Sequence, residues 1–184
     1  MLCTVCKQGK LTYTYLEDSL PCHQCVACRG HWIKLDAYLN WLGRRDANAD
    51  RLEKSCFEVN SADSRQVLIC PETGSLMLKF KVSNHMDCHI DYSSACAGVW
   101  LDTGEWEVLK QAGLVFQLNQ IATDVWQSRL RKERAKKVFE EKYEGLFGAE
   151  DHQKLKELKT WLADKDKARE MLAYLSSKNP YGIY

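Results

Sequence analysis

The chain has 184 residues, 45% of them hydrophobic and 28% charged, with 26 basic and 25 acidic side chains and a formal net charge of +1. That balance gives no electrostatic reason to expect a nucleic acid or an anionic membrane as partner, and the length suits one ordinary domain or two small ones. No stretch approaches the roughly 18 apolar residues of a membrane span, and no apolar run follows an N-terminal basic patch, so a cytoplasmic protein is expected.

Nine cysteines occur, all before residue 97. An odd number, no secretory signal and two C-x-x-C pairs argue against a disulfide framework and for a cytosolic metal site. The first pair is Cys3 and Cys6, the second Cys25 and Cys28, with 18 residues between them. This matches the zinc spacing of two C-x-x-C turns about 15–20 residues apart. Two residues between cysteines let a tight turn aim both thiolates at one point, and a hairpin brings two such turns together around a tetrahedral Zn²⁺. With Cys3, Cys6, Cys25 and Cys28 as ligands, one structural zinc per chain is expected, with no position left open for water. Gly9 and Gly30, just past the turns, let backbone N–H groups point at sulfur, and Lys7, Lys10 and Arg29 can offset the excess negative charge.

The stretch "KLTYTYL" (10–16) has β tendency, and a second short strand is expected near Leu20–Gln24. A C-x-G-x-W turn follows at 28–32. A helix comes next, with Leu35, Leu39 and Leu42 at i, i+4, i+7 as its apolar stripe. Residues 43–68 are polar and uneven, which predicts a linker that can pack against either side through Cys56, Phe57 and Val59. From residue 69 the same order of features returns: Cys70, "SLMLKFKV" (75–82), a strand near His89–Tyr92, and "CAGVW" (96–100) in register with "CRGHW" (28–32). Its helix has Asp102 as N-cap with Glu105 three residues on, and Gly113 as its stop. Trp32 and Trp100, recurring at one position, are expected in the core.

In this second copy, 69–113, Thr73 and Ser93 stand where ligands are expected, and neutral hydroxyls bind zinc poorly. Three outcomes are open: a metal-free copy held by packing of Leu76, Leu78, Phe80, Val82, Ile90, Val99, Trp100, Leu101 and Trp106; a rebuilt Cys/His site using Cys88, His85 and His89 with Cys70 and Cys96; or a Cys70–Cys96 disulfide. Cys22 falls opposite Ile90, which predicts a small apolar role in a strand.

From Leu114 the cysteines cease. Residues 116 to about 146 and 150 to about 176 are expected as two long helices, the second broken near Asp164, forming an αα-hairpin. Leu155, Leu158, Leu162, Ala168, Leu172 and Leu175, with Trp161 beside them, form a stripe expected to bury against the partner helix. The end "NPYGIY", Tyr181–Tyr184, either folds back or serves as a docking peptide.

"CTVCKQGKL", "CVACRGHWIKLD", "CPETGSL" and "CAGVWLDTGE" together resemble bacterial proteins with a transcription factor IIB-like zinc-ribbon domain, over roughly 85 of the 184 residues. The resemblance implies zinc binding on a small β-hairpin-plus-helix unit; it implies no particular activity.

The expected architecture is therefore α+β: a zinc-bound ribbon at 1–42, a linker at 43–68, a degenerate ribbon at 69–113 and a helical tail at 114–184. The expected role is a structural zinc-binding adaptor for a protein partner. The alternative is nucleic-acid binding through "RLRKERAKK" (129–137), that is Arg129, Arg131, Lys132, Arg134, Lys136 and Lys137. At 100° per residue these charges spread around a helix rather than forming one stripe, and the whole chain is near neutral. No nucleophile–base pair, phosphate loop or open metal site is present in the sequence pattern, so no enzymatic activity is expected.

Overall fold

The computed structural model describes residues 1–44 and 66–182. The linker residues Cys56, Phe57 and Val59, and the terminal Ile183 and Tyr184, lie outside the described residues. Six strands form one antiparallel sheet: β1 (Leu11–Leu16), β2 (Leu20–Cys25), β3 (His31–Lys34), β4 (Leu78–Lys81), β5 (His89–Ser93) and β6 (Gly98–Leu101), in the order β1-β2-β3-β6-β5-β4. Each consecutive triplet runs from an outer edge inward, and the two inner strands pair with Trp32 opposite Trp100 and Ile33 opposite Val99. The expected hairpins are present. The C-x-G-x-W segment, read as a turn leading straight into a helix, instead supplies the third strand of each triplet. One continuous sheet therefore replaces two separate hairpin-plus-helix units.

Alternation along the strands divides the sheet into two apolar faces. Ile33, Val99 and Leu101 point to one, with Leu20, Cys22 and Ile90; Trp32 and Trp100 point to the other, with Leu11 and Cys25. The first face is covered by α1 (Leu35–Leu42), α2 (Glu105–Gln111), a 3-10 turn at Val115–Gln117, α3 (Leu118–Ile121) and the start of α4 (Asp124–Phe147). The second face carries the cysteine turns. With cover on both sides, consecutive residues of β3 (His31, Trp32, Ile33) and of β6 (Gly98 to Leu101) are buried rather than every second one.

In α1 the buried side chains are Tyr38 and Trp41, whereas Leu39 of the expected stripe is 45% exposed. The aromatic pair wins because Trp41 meets Trp106 at a ring-centroid distance of 5.9 Å and stacks on Phe116 at 6.1 Å. Tyr38 Oη donates to the Val115 carbonyl at 2.8 Å and accepts from Leu118 N–H at 3.3 Å, deep in the core. Tyr38→Phe leaves both backbone groups buried without a partner, so a loss of about 1–3 kcal/mol is expected in urea unfolding. A change below a few tenths would show that water reaches the site.

At α2, Glu105 accepts the Asp102 N–H at 2.7 Å, one half of the expected capping box, but the residue before the helix is Gly104 at φ 84°. The Asp102 carboxylate instead takes the Trp100 indole N–H at 2.7 Å. Gly113, at φ 68°, stands just past the C-terminus as expected.

The chain divides into two compact units, Met1–Glu133 and Arg134–Tyr184. Val115, Leu118, Ile121, Trp126 and Leu130, from the stretch read as the start of the helical tail, are core residues of the first unit. Trp126 donates its indole N–H to the Val82 carbonyl at 3.0 Å, and the Gln127 amide donates to Lys81 and Ile121 carbonyls, both at 2.9 Å. Hence the expected helix from 116 is interrupted between α3 and α4. The second unit holds the rest of α4, α5 (Ala149–Ala163) and α6 (Ala168–Ser176), with the break near Asp164 where expected. Its apolar stripe is not buried as expected. Leu162 is, but Leu155, Leu158, Trp161, Leu172 and Leu175 are between 36% and 57% exposed. Tyr181 folds back on Tyr174, the two hydroxyls 2.6 Å apart.

Candidate metal centre

The site begins with two tight turns. Residues Lys7 (φ 55°) and Arg29 (φ 62°) take left-handed backbone conformations one position past Cys6 and Cys28. Lys7 N–H donates to the Cys3 carbonyl at 3.2 Å and Arg29 N–H to the Cys25 carbonyl at 3.0 Å, closing each turn. The turns aim N–H groups at sulfur: Val5 to Cys3 at 3.4 Å, Gly9 to Cys6 at 3.3 Å and Cys28 to Cys25 at 3.4 Å. The β1–β2 hairpin, with Leu11 opposite Cys25, brings the turns together.

All four sulfurs of Cys3, Cys6, Cys25 and Cys28 lie within 4.8 Å of one another, with Cys3 and Cys28 at 3.5 Å and Cys6 and Cys25 at 3.6 Å. A tetrahedron of sulfurs about 2.3 Å from Zn²⁺ has edges near ~3.8 Å, so the set needs little adjustment to hold that ion. The donor chemistry fits as well. N–H groups of Gln8 and Gly9 bring the Cys6 thiol down to about 6, while burial pushes Cys3 and Cys28 up. Four clustered sulfurs cannot all ionise unaided, and a dication supplies the missing charge. Space is reserved for the sulfurs too, since a Cβ on Gly9 would come 2.3 Å from Cys25 Sγ. Closed four-sulfur coordination makes such a site structural.

Among the described residues no other group of three or more His, Cys, Asp or Glu ligands gathers. The Cys/His site considered for the second copy is not assembled. Cys88 packs in the helix-covered core, His85 is exposed, and Cys70 and Cys96 lie with the tryptophans on the opposite face. Ser93 is wholly buried, with Oγ 3.6 Å from Cys96 Sγ, and Thr73 Oγ1 pairs with Ser75 Oγ at 2.7 Å. Cys22 is a core thiol raised to about 11 by burial. Glu72 was not singled out from sequence. Its carboxylate accepts the Trp32 indole N–H at 2.8 Å and the Lys34 ammonium at 2.9 Å. Burial opposes its ionisation, but those bonds prevail and hold it below the usual carboxylate range. Only folding unites residues so far apart in sequence, so no local signal marked it.

The six basic residues of 129–137 lie along α4. Arg129 sits over the Trp126 ring, 4.0 Å from its centroid, and 3.7 Å from Glu133; Lys137 is 3.8 Å from Glu141. All six are exposed.

Paired cysteine turns on a β-hairpin, with four sulfurs facing one point, define a zinc ribbon. Residues 2–44 match the transcription factor zinc-finger family, of the IIB zinc-ribbon type. The match covers the expected ribbon at 1–42 and does not reach residues 69–113. No curated protein and no solved structure shows detectable similarity to the chain. No helix among the described residues is long and apolar enough to cross a membrane.

Proposed function

We propose that the chain is a cytoplasmic, non-enzymatic zinc protein in which a ribbon has been duplicated, the second copy has lost its metal, and the folded body serves as an adaptor for a protein partner. Duplication is supported by the backbone. Left-handed residues recur at Lys7 and Gly74 and at Arg29 and Ala97, and the bridge Leu2–Lys10 is matched by Ile69–Leu76. Cys3 N–H bonds to Gly9 and Cys70 N–H to Ser75, both at 2.8 Å, so the second turn is one residue shorter.

One observation carries the adaptor role. Phe139, Tyr143 and Phe147, each at least 42% exposed, stack along α4 with interplanar angles of 24° and 10°. With His152, Leu155 and Lys156 they line a groove of about 580 Å³. Exposed aromatics in a row are costly for a solitary surface and typical of contact sites. Replacing Phe139, Tyr143 and Phe147 together by serine in the full chain is expected to abolish capture of partners from an extract of the source cells while zinc content stays unchanged. An identical captured set from both proteins would end this reading.

The second reading, nucleic-acid binding, is favoured by the exposure of Arg131, Lys132, Arg134, Lys136 and Lys137. A mobility shift whose affinity falls steeply with salt would support it, and no shift at low salt would dispose of it.

A further inference from the structure

Cys70 and Cys96 face each other at the second pair of turns, their sulfurs 3.4 Å apart. Cys70 is 2% exposed, while Cys96 is half-buried and reachable. Lys34 Nζ, bonded to the Cys96 carbonyl at 2.9 Å, sets a cation beside them, and the Ser93 hydroxyl lies 3.6 Å from Cys96 Sγ. The Glu72 carboxylate, paired with Lys34, is within hydrogen-bond reach of the Cys96 thiol, but among the described residues the two thiols belong to no cluster of three or more metal-ligating groups. Two thiols outside any cluster of three or more ligands are too few for a tetrahedral zinc, yet they are close. A disulfide requires an approach of only about 1.4 Å from the present separation, to ~2.05 Å.

We propose that Cys70 and Cys96 are a redox-active dithiol, which a low-molecular-weight disulfide oxidises to an intramolecular Cys70–Cys96 bond while Cys3, Cys6, Cys25 and Cys28 stay on zinc. The second half of this statement rests on the structural-zinc reading.

Electrostatics divide the labour. Burial opposes ionisation of Cys70, but bonds from the Ser93 and Thr73 hydroxyls and the Thr73 and Glu72 N–H groups prevail and bring it down to about 7. Burial and the nearby Cys70 sulfur push Cys96 up. Near neutrality Cys70 is therefore the thiol of the pair that ionises first, while Cys96 keeps its proton. The incoming disulfide, RSSR, meets the reachable Cys96. Its sulfur attacks as its proton passes to Cys70, giving Cys96–S–SR and RS⁻. Cys70 then loses that proton to solvent and attacks the Cys96 sulfur, expelling the second RS⁻. The two protein sulfurs are oxidised by two electrons, and RSSR is reduced to two RS⁻, one of which takes up the released proton.

The test uses the zinc-loaded full chain in glutathione buffers of rising oxidised-to-reduced ratio, quenched with acid, alkylated and mapped by peptide mass, with zinc measured alongside. Alkylation of Cys70 and Cys96 is expected to fall together by about tenfold as a linked peptide appears. Cys22 is expected to be unaffected, and zinc to stay at about one per chain. Cys70→Ser should trap a mixed disulfide on Cys96; Cys96→Ser should leave buried Cys70 unmodified. The proposal is overturned if both thiols remain alkylatable at the most oxidising ratio, if Cys96 in the unaltered protein stops at the mixed disulfide, or if a second metal ion is what protects them. Zinc-free protein with links among the first four cysteines would sink the metal reading instead. The Cys70–Cys96 linkage would still be read separately.

Discussion

Cys25→Ser is expected to abolish zinc retention and lower the unfolding free energy by more than about 4 kcal/mol, and chelation of the unaltered chain should do the same. Cys25 is fully buried, its sulfur 3.6 Å from Cys6 Sγ and under the N–H of Cys28. Without the metal, sulfurs at 3.5 and 3.6 Å, one of each pair buried, lose the charge that holds them together. The loss spreads, because Cys3 and Cys25 share a packed cluster with Leu11, Trp32, Leu68 and Trp100. Gly9→Ala should act alike, since its methyl would intrude to 2.3 Å from Cys25 Sγ. Urea unfolding with metal analysis checks both variants. Protein that gives up its zinc to a chelator at an unchanged unfolding midpoint would show that the ion does not hold this face together.

Gly98→Ala is the second large effect. A Cβ there would lie 2.1 Å from Trp32 Cζ2 and 2.3 Å from its Cη2, and on Gly30 it would lie 2.4 Å from Trp100 Cζ2. Gly98 in β6 and Gly30 just before β3 thus leave out a side chain so that the tryptophan of the opposite strand can lie across each. Both rings are fully buried, and Trp32 is tied by its indole N–H to Glu72. Neither ring can swing aside without opening the cluster that includes the cysteine turns. A loss of about 3 kcal/mol is expected, measured by denaturant unfolding and accompanied by a changed near-ultraviolet tryptophan signal. An alanine variant with wild-type stability would mean that the strands can slide apart at little cost.

The metal centre was legible because its causes are local. A turn of two residues between cysteines fixes where both sulfurs point, and the hairpin over 11–25 closes from its own strand pattern. The core role of Cys22 and of the two tryptophans followed from comparing one half of the sequence with the other. The inner strands were less legible. "HWIK" and "GVWL" are buried on both faces, so they lack the alternation that marks a strand, and their pairing joins residues about 70 positions apart. In α1 the leucine spacing pointed to the wrong face, because Trp106 and Phe116 arrive from other elements and claim Tyr38 and Trp41.

Local turns and short-range strand patterns were enough to specify the two cysteine pairs, the two outer hairpins, the stop at Gly113 and the break near Asp164. Tertiary structure alone decided that the triplets fuse through β3 and β6 into one sheet, and that residues 115–130 complete its helical cover. It alone also brought Cys70 and Cys96 to 3.4 Å. Those outcomes depend on which apolar surfaces meet after the chain closes on itself, and burial between distant segments leaves no periodic trace in either one.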